Sequence, residues 1–381
     1  MEQPFVDFYN KHNVIPTRQN IKNFNQFLHQ RNYLYTTLGI PLAHLKNKKI
    51  LEFGPGGGWN AIATSFYKPD LYVFVDNSKA SLNELKKRKI NARKIKIVKS
   101  DIYKFKSKKK FDLLIIEGTI PNQLYPKKML KHVSKFVTNN GILITTTHSG
   151  TSMLSEFCRR IFRNYIYENE KYFDKRVNLA EKIFKSHLKT LNVQTRPTKD
   201  WVIDVIMQPQ SGKDKIIFSM KDSLKVLKKK FDFFGSQPKF LLDDRFYKQV
   251  KFPESFTNKL FFDQFEYMEL GMIDYRVPLT NYISVNNKSL KKIKLLCNKV
   301  CKLHNSIIEK KSYKSLNKLL KLLKQISNLL PKENNLTKKS ISNFISDFPQ
   351  FINDGKISGR FKDFSKWWGR GQQYISFIKK N

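Results

Sequence analysis

The sequence has few cysteines, few acidic residues and no long apolar run. Three Cys in 381 residues are too few for a disulfide framework, so a reducing compartment is expected. No stretch of about 18 apolar residues is present, and the first residues, MEQPFVDFYN, lack the basic and apolar regions of a secretory signal. We therefore expect a cytoplasmic protein without a transmembrane segment.

Acidic residues are far outnumbered by basic ones. The chain has 72 Lys and Arg against 31 Asp and Glu, a formal net charge of +41. Such an excess is typical of proteins that bind nucleic acid or another polyanion. Lys accounts for 59 of these residues and is spread over nearly the whole chain beside abundant Asn and Ile, which AT-rich codon usage also produces. The charge alone leaves nucleic acid open as a partner without favouring it.

Short apolar runs recur through the first half of the chain, separated by segments with helical spacing. They begin near residues 50, 72, 95, 113 and 142, at intervals of 18 to 29 residues. One strand and one crossover helix have this combined length. The pattern predicts an α/β protein with a doubly wound, mostly parallel sheet, and the helix-like run 223–230 followed by FDFFG at 231–235 predicts a sixth strand.

Helical patterns also predict additions around this sheet. The predicted divisions are a helical N-terminal cap at 1–47, a core at 48–285 with a mostly helical insertion at about 151–213, and a helical C-terminal region at 286–381. Within the last region, two amphipathic segments between 288 and 330 predict an αα-hairpin that Pro331 ends.

The strongest local signal is a glycine-rich turn after the first predicted strand, where residues 51–60 read LEFGPGGGWN. Glycines let the main chain turn tightly and let a ligand approach it, and the following helix offers free N–H groups. A dinucleotide fingerprint would need a third glycine at the position of Trp59, and a Walker loop would need Gly-Lys-Ser/Thr, which is missing. The spacing therefore excludes both of these nucleotide motifs.

Glu52 precedes Gly54, Gly56 and Gly58, so the turn reads E-x-G-x-G-x-G and resembles the class I S-adenosylmethionine-dependent methyltransferases. The resemblance covers about residues 48–150. It implies a Rossmann-like methyltransferase core that uses S-adenosyl-L-methionine as its cofactor. It also implies that the glycine turn binds this cofactor, with Glu52 and the backbone around Gly54 and Gly56 at its methionine end.

Two further carboxylates match the same family. Asp76 ends the second predicted strand, where the resemblance implies hydrogen bonds to the ribose hydroxyls. Asp101 follows the third strand, where the family holds the adenine edge, and Ile102 would pack on the ring. A helix cap for Asp76 and an ordinary turn residue for Asp101 remain the alternatives.

Polar residues also follow the fourth and fifth predicted strands, where the acceptor is expected. These are Glu117 in IIEGTIPN and His148 in TTTHSG. Methyl transfer is an in-line displacement, which requires alignment and exclusion of water. Because an oxygen or amine acceptor can also require a general base, both residues are candidates for catalysis or acceptor contact. The alternatives are a solvated turn residue for Glu117 and an ordinary polar loop residue for His148.

Two features near the C-terminus have structural alternatives. The segment 365–374, SKWWGRGQQY, has a composition that suits stacking on an acceptor, closing over a site, or internal packing. Cys297 and Cys301, with His304 close by, offer too few ligands for a structural zinc site. No metal is therefore expected.

The leading hypothesis is an S-adenosylmethionine-dependent methyltransferase that acts on a small-molecule acceptor, such as a sugar, a metabolite or an amino acid. The net charge motivates an RNA methyltransferase as an alternative. However, the loop after the fourth strand reads EGTIPN and lacks the Asp/Asn-Pro-Pro-aromatic motif typical of enzymes that methylate exocyclic base amines. A non-catalytic scaffold protein that binds the cofactor is the third hypothesis.

Overall fold

The computed structural model of the chain describes residues 4–15, 18–19, 21–191, 196–209, 217–240, 256–278 and 285–381. The chain divides into two compact units. The first unit comprises Met1–His148, Pro209–Phe265 and Gln372–Asn381, and the second comprises Ser149–Gln208 and Glu266–Gly371. These bounds differ from the predicted domains in three ways. Residues 149–208 and 266–285 group with the C-terminal helices, residues 1–47 group with the sheet, and the last ten residues also belong to the first unit.

A seven-stranded sheet forms the first unit, with the strand order β3-β2-β1-β4-β5-β7-β6. The strands are β1 Lys49–Phe53, β2 Leu71–Asp76, β3 Lys94–Lys99, β4 Phe111–Ile116, β5 Val137–Thr147, β6 Phe231–Gln237 and β7 Gln373–Lys379. Strands β1 to β5 pair in parallel, whereas β7 is antiparallel to both β5 and β6. The predicted doubly wound, mostly parallel α/β sheet is confirmed, including the strand after residue 230.

In the described part of the chain, α-helices of at least five residues occupy both units. They are α1 Pro4–His12, α2 Phe24–Thr37, α3 Trp59–Ser65, α4 Lys79–Lys86, α5 Pro126–Val133, α6 Leu154–Arg160, α7 Phe162–Asn169, α8 Phe173–Leu188, α9 Thr198–Val202, α10 Met220–Leu227, α11 Phe256–Leu270, α12 Asn287–Lys310, α13 Leu316–Leu329 and α14 Asn335–Asp354. The predicted hairpin is present as α12 and α13. Within the described residues, no helix has the length and apolar character needed to cross a membrane.

The two faces of the sheet pack against different partners because side chains alternate along each strand. On one face, Tyr72 and Phe74 belong to a buried cluster with residues of α2 and α4, including Leu85. On the other face, the Phe53 ring contacts the ring of Phe105, with centroids 5.4 Å apart. Phe105 thereby fastens the connection between β3 and β4 to the sheet. This connection, residues 100–110, contains no helix.

The C-terminal end of the chain corrects one expectation. Residues 286–381 were predicted to be helical, but Gln373–Lys379 forms the strand β7. This strand lies between β5 and β6 and hydrogen-bonds to both. The apolar residues of QYISFIK do not form a continuous run, unlike those of β2, and the position of this strand depends on partners more than 130 residues away in sequence.

In the second unit, residues 365–371 of the SKWWGRGQQY segment contribute two buried tryptophans. Trp367 donates from its indole nitrogen to the Ile273 carbonyl at 2.9 Å. Trp368 donates to the Thr190 hydroxyl at 3.0 Å and stacks on the Arg159 guanidinium, 3.7 Å from the ring centroid. Both rings therefore serve internal packing, which was the alternative to acceptor stacking.

Candidate functional site

The glycine turn between β1 and α3 has a backbone that only glycine adopts easily. Gly54, Gly56 and Gly58 have φ values of +64°, +54° and +74°, in the left-handed region that other residues avoid. A Cβ atom on Gly54 would lie 2.6 Å from the Thr119 hydroxyl oxygen, and one on Gly58 would clash with Leu85. The three spaced glycines are thus required by the turn itself.

Asp76 lies against this turn at the end of β2. The Gly54 amide donates to the Val75 carbonyl at 2.9 Å, which fixes the start of the turn beside the strand end. The Asp76 carboxylate accepts from the Ser78 amide at 2.8 Å. Burial raises the pKa of Asp76 from 3.8 to about 6, against the opposing effect of backbone N–H groups at Ser78, Gly56 and Asn77.

Asp76 is not the N-cap of the next helix. Ser78 occupies that position, and its hydroxyl oxygen accepts from the Ser81 amide at 3.2 Å. The capping alternative for Asp76 is therefore wrong. Its partly buried carboxylate is left to face the glycine turn, where it can accept hydrogen bonds from a ligand.

Asp101 and Ile102 lie next to Asp76 across the sheet. The Ser100 amide donates to the Asp76 carbonyl at 3.1 Å, which brings the end of β3 to the end of β2. Asp101 accepts from the Tyr103 amide at 2.7 Å, so it does stabilise a turn, and Ile102 is buried. A role of Asp101 and Ile102 at a ligand remains a prediction.

The Glu52 side chain forms a hydrogen bond between β1 and β2. This side chain, on the fourth of the five residues of β1, is buried and accepts a hydrogen bond from the Tyr72 hydroxyl on β2. Burial raises the pKa of Glu52 from 4.5 to about 7, although the bond from Tyr72 opposes this shift. The carboxyl group is therefore partly protonated at neutral pH. Its predicted contact with the methionine end of a cofactor remains a prediction.

Glu52 should make the stability of the ligand-free protein fall as the pH rises. Because its folded pKa of about 7 exceeds the ordinary value of 4.5, the folded state retains a proton that the unfolded chain releases between these values. We expect the free energy of unfolding to fall by up to about 3 kcal/mol over this window through Glu52 alone. Urea unfolding of the wild type and Glu52→Gln at pH 4.5, 6 and 7.5 tests this. An identical pH dependence in both proteins would contradict it.

Glu117, at the end of β4, is held by a buried ion pair. Arg31 of α2 donates to both carboxylate oxygens, at 2.7 Å to Oε1 and 3.2 Å to Oε2. The exposed fractions of the two side chains are 8% for Arg31 and 11% for Glu117. Asn60, at the start of α3, donates to Oε2 at 2.9 Å. Glu117 is therefore not a solvated turn residue, and its catalytic role remains a prediction.

The ion pair belongs to a wider polar cluster. Burial opposes the guanidinium charge, yet the pKa of Arg31 is raised well above its usual value because Glu117 lies against it. Tyr35, four residues further along α2, hydrogen-bonds to the Thr64 hydroxyl of α3 at 2.6 Å. Burial and the negative charge of Glu117 raise the pKa of Tyr374 on β7. The cluster thus joins α2, α3, β4 and β7 beside the glycine turn.

Arg31 and Asn60 were not recognised from the sequence. Asn60 directly follows the glycine turn but has no distinctive spacing. Arg31 carried a usable signal, because it lies on the same helical face as Phe27, Leu34 and Tyr35, all of which are buried. A charged residue in an apolar stripe requires a buried partner. The pattern does not say which carboxylate provides it.

His148 lies at the end of β5 and is 6% exposed. Its main chain exchanges hydrogen bonds with Phe218, at 2.9 and 3.2 Å. Two residues earlier, the Thr146 hydroxyl accepts from the Gly118 amide at 2.7 Å, so the loop after β4 contacts the end of β5. The structure thereby places His148 at the same sheet edge as Glu117. Its catalytic role remains a prediction.

The carboxyl ends of β1, β2 and β3 thus present a tight glycine turn, the carboxylate of Asp76 and the turn at Asp101. A carboxylate can accept two hydrogen bonds from a vicinal diol, and a glycine turn allows close approach of a ligand to the main chain. These groups fit an adenosyl ligand. Glu117 and His148 lie at the neighbouring ends of β4 and β5.

Comparison with known proteins finds one family match: residues 44–232 match a family described as a methyltransferase domain. A putative S-adenosylmethionine-dependent methyltransferase from Listeria monocytogenes is 15% identical, with a TM-score of 0.27 over 32% of this chain and 55% of its own. The chain thus spans about half the length of that protein. No curated protein matches the sequence.

Two further solved structures have greater coverage of this chain. PKMT2 from Rickettsia typhi in complex with AdoHcy is 18% identical, with a TM-score of 0.38 over 61% of this chain and 49% of its own. Magnesium protoporphyrin IX methyltransferase from Synechocystis PCC 6803 with bound SAH is 11% identical, with a TM-score of 0.35 over 60% of this chain and 89% of its own.

Proposed function

Because residues 44–232 of this chain are a methyltransferase domain, we propose that the protein catalyses in-line methyl transfer from S-adenosyl-L-methionine to a small-molecule acceptor. When bound, this cofactor supplies an activated methyl group on a positively charged sulfur. The observation that carries the proposal is the position of Asp76 against the glycine turn. A carboxylate fixed there is suited to the two hydroxyl groups of a ribose.

The cofactor residues have distinct tasks in this proposal. Gly54, Gly56 and Gly58 allow the ligand to approach the main chain closely. Asp76 accepts hydrogen bonds from the ribose, and Asp101 with Ile102 borders the adenine. Glu52 supports the first strand through Tyr72 and lies at the methionine end. Each task is assigned from the residue type and its position at a strand end, and mutation of the residue tests each assignment.

The acceptor is assigned to the ends of β4 and β5. The first residue of the EGTIPN loop, Glu117, has both carboxylate oxygens engaged by Arg31 and Asn60. It is therefore poorly suited to bind an acceptor amine. The EGTIPN loop also lacks the Asp/Asn-Pro-Pro-aromatic motif typical of enzymes that methylate exocyclic base amines, which favours a small acceptor over such an RNA base. His148 is the remaining candidate to accept a proton from an acceptor hydroxyl or amine.

The experiment that tests this function is a transfer assay. The purified protein is incubated with S-adenosylmethionine labelled in the methyl group and with a cell extract separated into small molecules, RNA and protein. We expect the label in the small-molecule fraction. Label in RNA would support the RNA methyltransferase instead, and cofactor binding without any transfer would support the scaffold protein.

If His148 is the base, His148→Ala should lower turnover by about 100-fold or more, because proton transfer by a positioned group contributes about that factor. Cofactor affinity should change much less. His29→Ala is the matched control, since His29 is an exposed residue of α2. Because His148 is buried, thermal unfolding of the variant must first show a folded protein. Unchanged turnover would remove His148 from the mechanism.

A further inference from the structure

Positive charge is dense at the β3 edge of the sheet. Residues 86–110 contain 13 Lys and Arg and a single acidic residue, Asp101, whereas the whole chain has 72 basic and 31 acidic residues. A codon bias that enriches Lys acts along the whole chain. It does not explain why carboxylates are nearly missing from this segment. We call residues 86–110 the β3-edge surface.

The charges of the β3-edge surface are exposed and mostly uncompensated. All of its Lys and Arg residues except Arg88 are exposed. Lys87 pairs with Glu84 at 3.1 Å, and Arg93 pairs with Asp70 at 3.5 Å. Within the part of the chain that the structure describes, the other ten exposed cations have no ion pair. Cations that lack local partners are available to an external anion.

These cations surround the edge strand on both faces of the sheet. The end of α4 and the loop after it carry Lys86, Lys87 and Lys89, and α4 packs through Leu85 on the Tyr72 face. The connection 100–110 packs through Phe105 on the opposite face, and there the exposed Lys104 and Lys106 flank the buried Phe105. Strand β3 lies between the two groups, and among the described strands it pairs only with β2.

We propose that the β3-edge surface binds the phosphate backbone of a single-stranded nucleic acid. A flexible strand can bend around the sheet edge and contact the cations on both faces. Lysines neutralise phosphates without reading sequence, so this binding is independent of base identity. The proposal does not depend on the methyltransferase activity, because no cofactor residue supplies a cation to this surface.

The β3-edge surface is separate from the acceptor edge of the sheet. Strands β2 and β1 lie between β3 and β4, so β3 and β4 are about 14 Å apart at the usual strand spacing. Nucleic acid bound here is therefore an anchor for the protein, and it does not identify the methyl acceptor.

Binding of a fluorescent uridine oligonucleotide of about 20 nucleotides, measured by anisotropy over a range of salt concentrations, tests the proposal. Two triple variants remove one group of cations each: Lys86→Gln with Lys87→Gln and Lys89→Gln, and Lys104→Gln with Lys106→Gln and Lys108→Gln. We expect each to weaken binding by about tenfold at low salt and to lower the salt slope by about 2, because each phosphate contact contributes about 0.7.

A third triple variant is the matched control. Lys318, Lys321 and Lys324 are exposed on α13, and changing all three to Gln removes the same charge elsewhere. The control should bind the oligonucleotide like the wild type. Equal weakening in the control would mean that only net charge matters, and an effect of one β3-edge group alone would exclude bending around the edge. Binding to phosphatidylserine vesicles but not to RNA or single-stranded DNA would also overturn the proposal.

Discussion

Arg31→Met is expected to lower the free energy of unfolding by about 3–5 kcal/mol, because it leaves the carboxylate of Glu117 buried without its charged partner. Both groups are nearly buried, and the pair is bidentate. Removing one member of such a pair costs far more than removing both, since the remaining charge cannot be solvated. Urea unfolding of the variant measures the loss.

The double variant Arg31→Met with Glu117→Gln completes the test of this pair. It should recover much of the lost stability, because no unpaired charge then remains. Arg93→Met is the matched control: Arg93 is 79% exposed and pairs with Asp70 at 3.5 Å, so its removal should cost less than about 1 kcal/mol. A loss in Arg31→Met as small as in the control would show that the ion pair does not stabilise the fold.

Asp76→Asn is expected to weaken binding of S-adenosylmethionine by about 100-fold or more. Hydrogen bonds to a charged group contribute about 1.5–3 kcal/mol each, and the proposed ribose contact has two of them. Asparagine keeps an oxygen that can accept from the Ser78 amide, so the turn should be preserved. Isothermal titration calorimetry with S-adenosylmethionine and its demethylated product gives the affinity.

Asp70→Asn provides the control for this experiment, because Asp70 directly precedes β2 and lies at the opposite end of the same strand. Its affinity for the cofactor should equal that of the wild type. If Asp76→Asn binds the cofactor as tightly as Asp70→Asn, the ribose assignment is wrong. The glycine turn would then have to bind the adenosyl group without this carboxylate.

Much of the sheet was predictable because its signals are local. Strands β1, β2, β3 and β4 begin at residues 49, 71, 94 and 111, within two residues of the predicted starts. The glycine turn was also recognised correctly, because its left-handed backbone at Gly54, Gly56 and Gly58 restricts those positions to glycine. Asp76 was placed correctly at the end of β2, because it directly follows the apolar run LYVFV.

The contacts of the catalytic candidates were not predictable in the same way. Glu117 stood beside a recognisable strand, yet the sequence left open whether it was solvated. The answer depends on Arg31, which lies 86 residues away in the chain. His148 has Phe218 as its backbone partner. Phe218 is also far from His148 in the sequence, and no local pattern connects the two. Pairing over such distances is decided by how the elements pack.

The sequence by itself determined the strand rhythm, the glycine turn and the carboxylate after the second strand, because each depends on residues within one strand and its adjoining turn. Only the tertiary structure decided that Arg31 neutralises Glu117, that the last strand enters the sheet between β5 and β6, and that lysines surround β3 on both faces. These features join segments that are far apart in the chain. Their partners are selected by burial and charge once the sheet has formed.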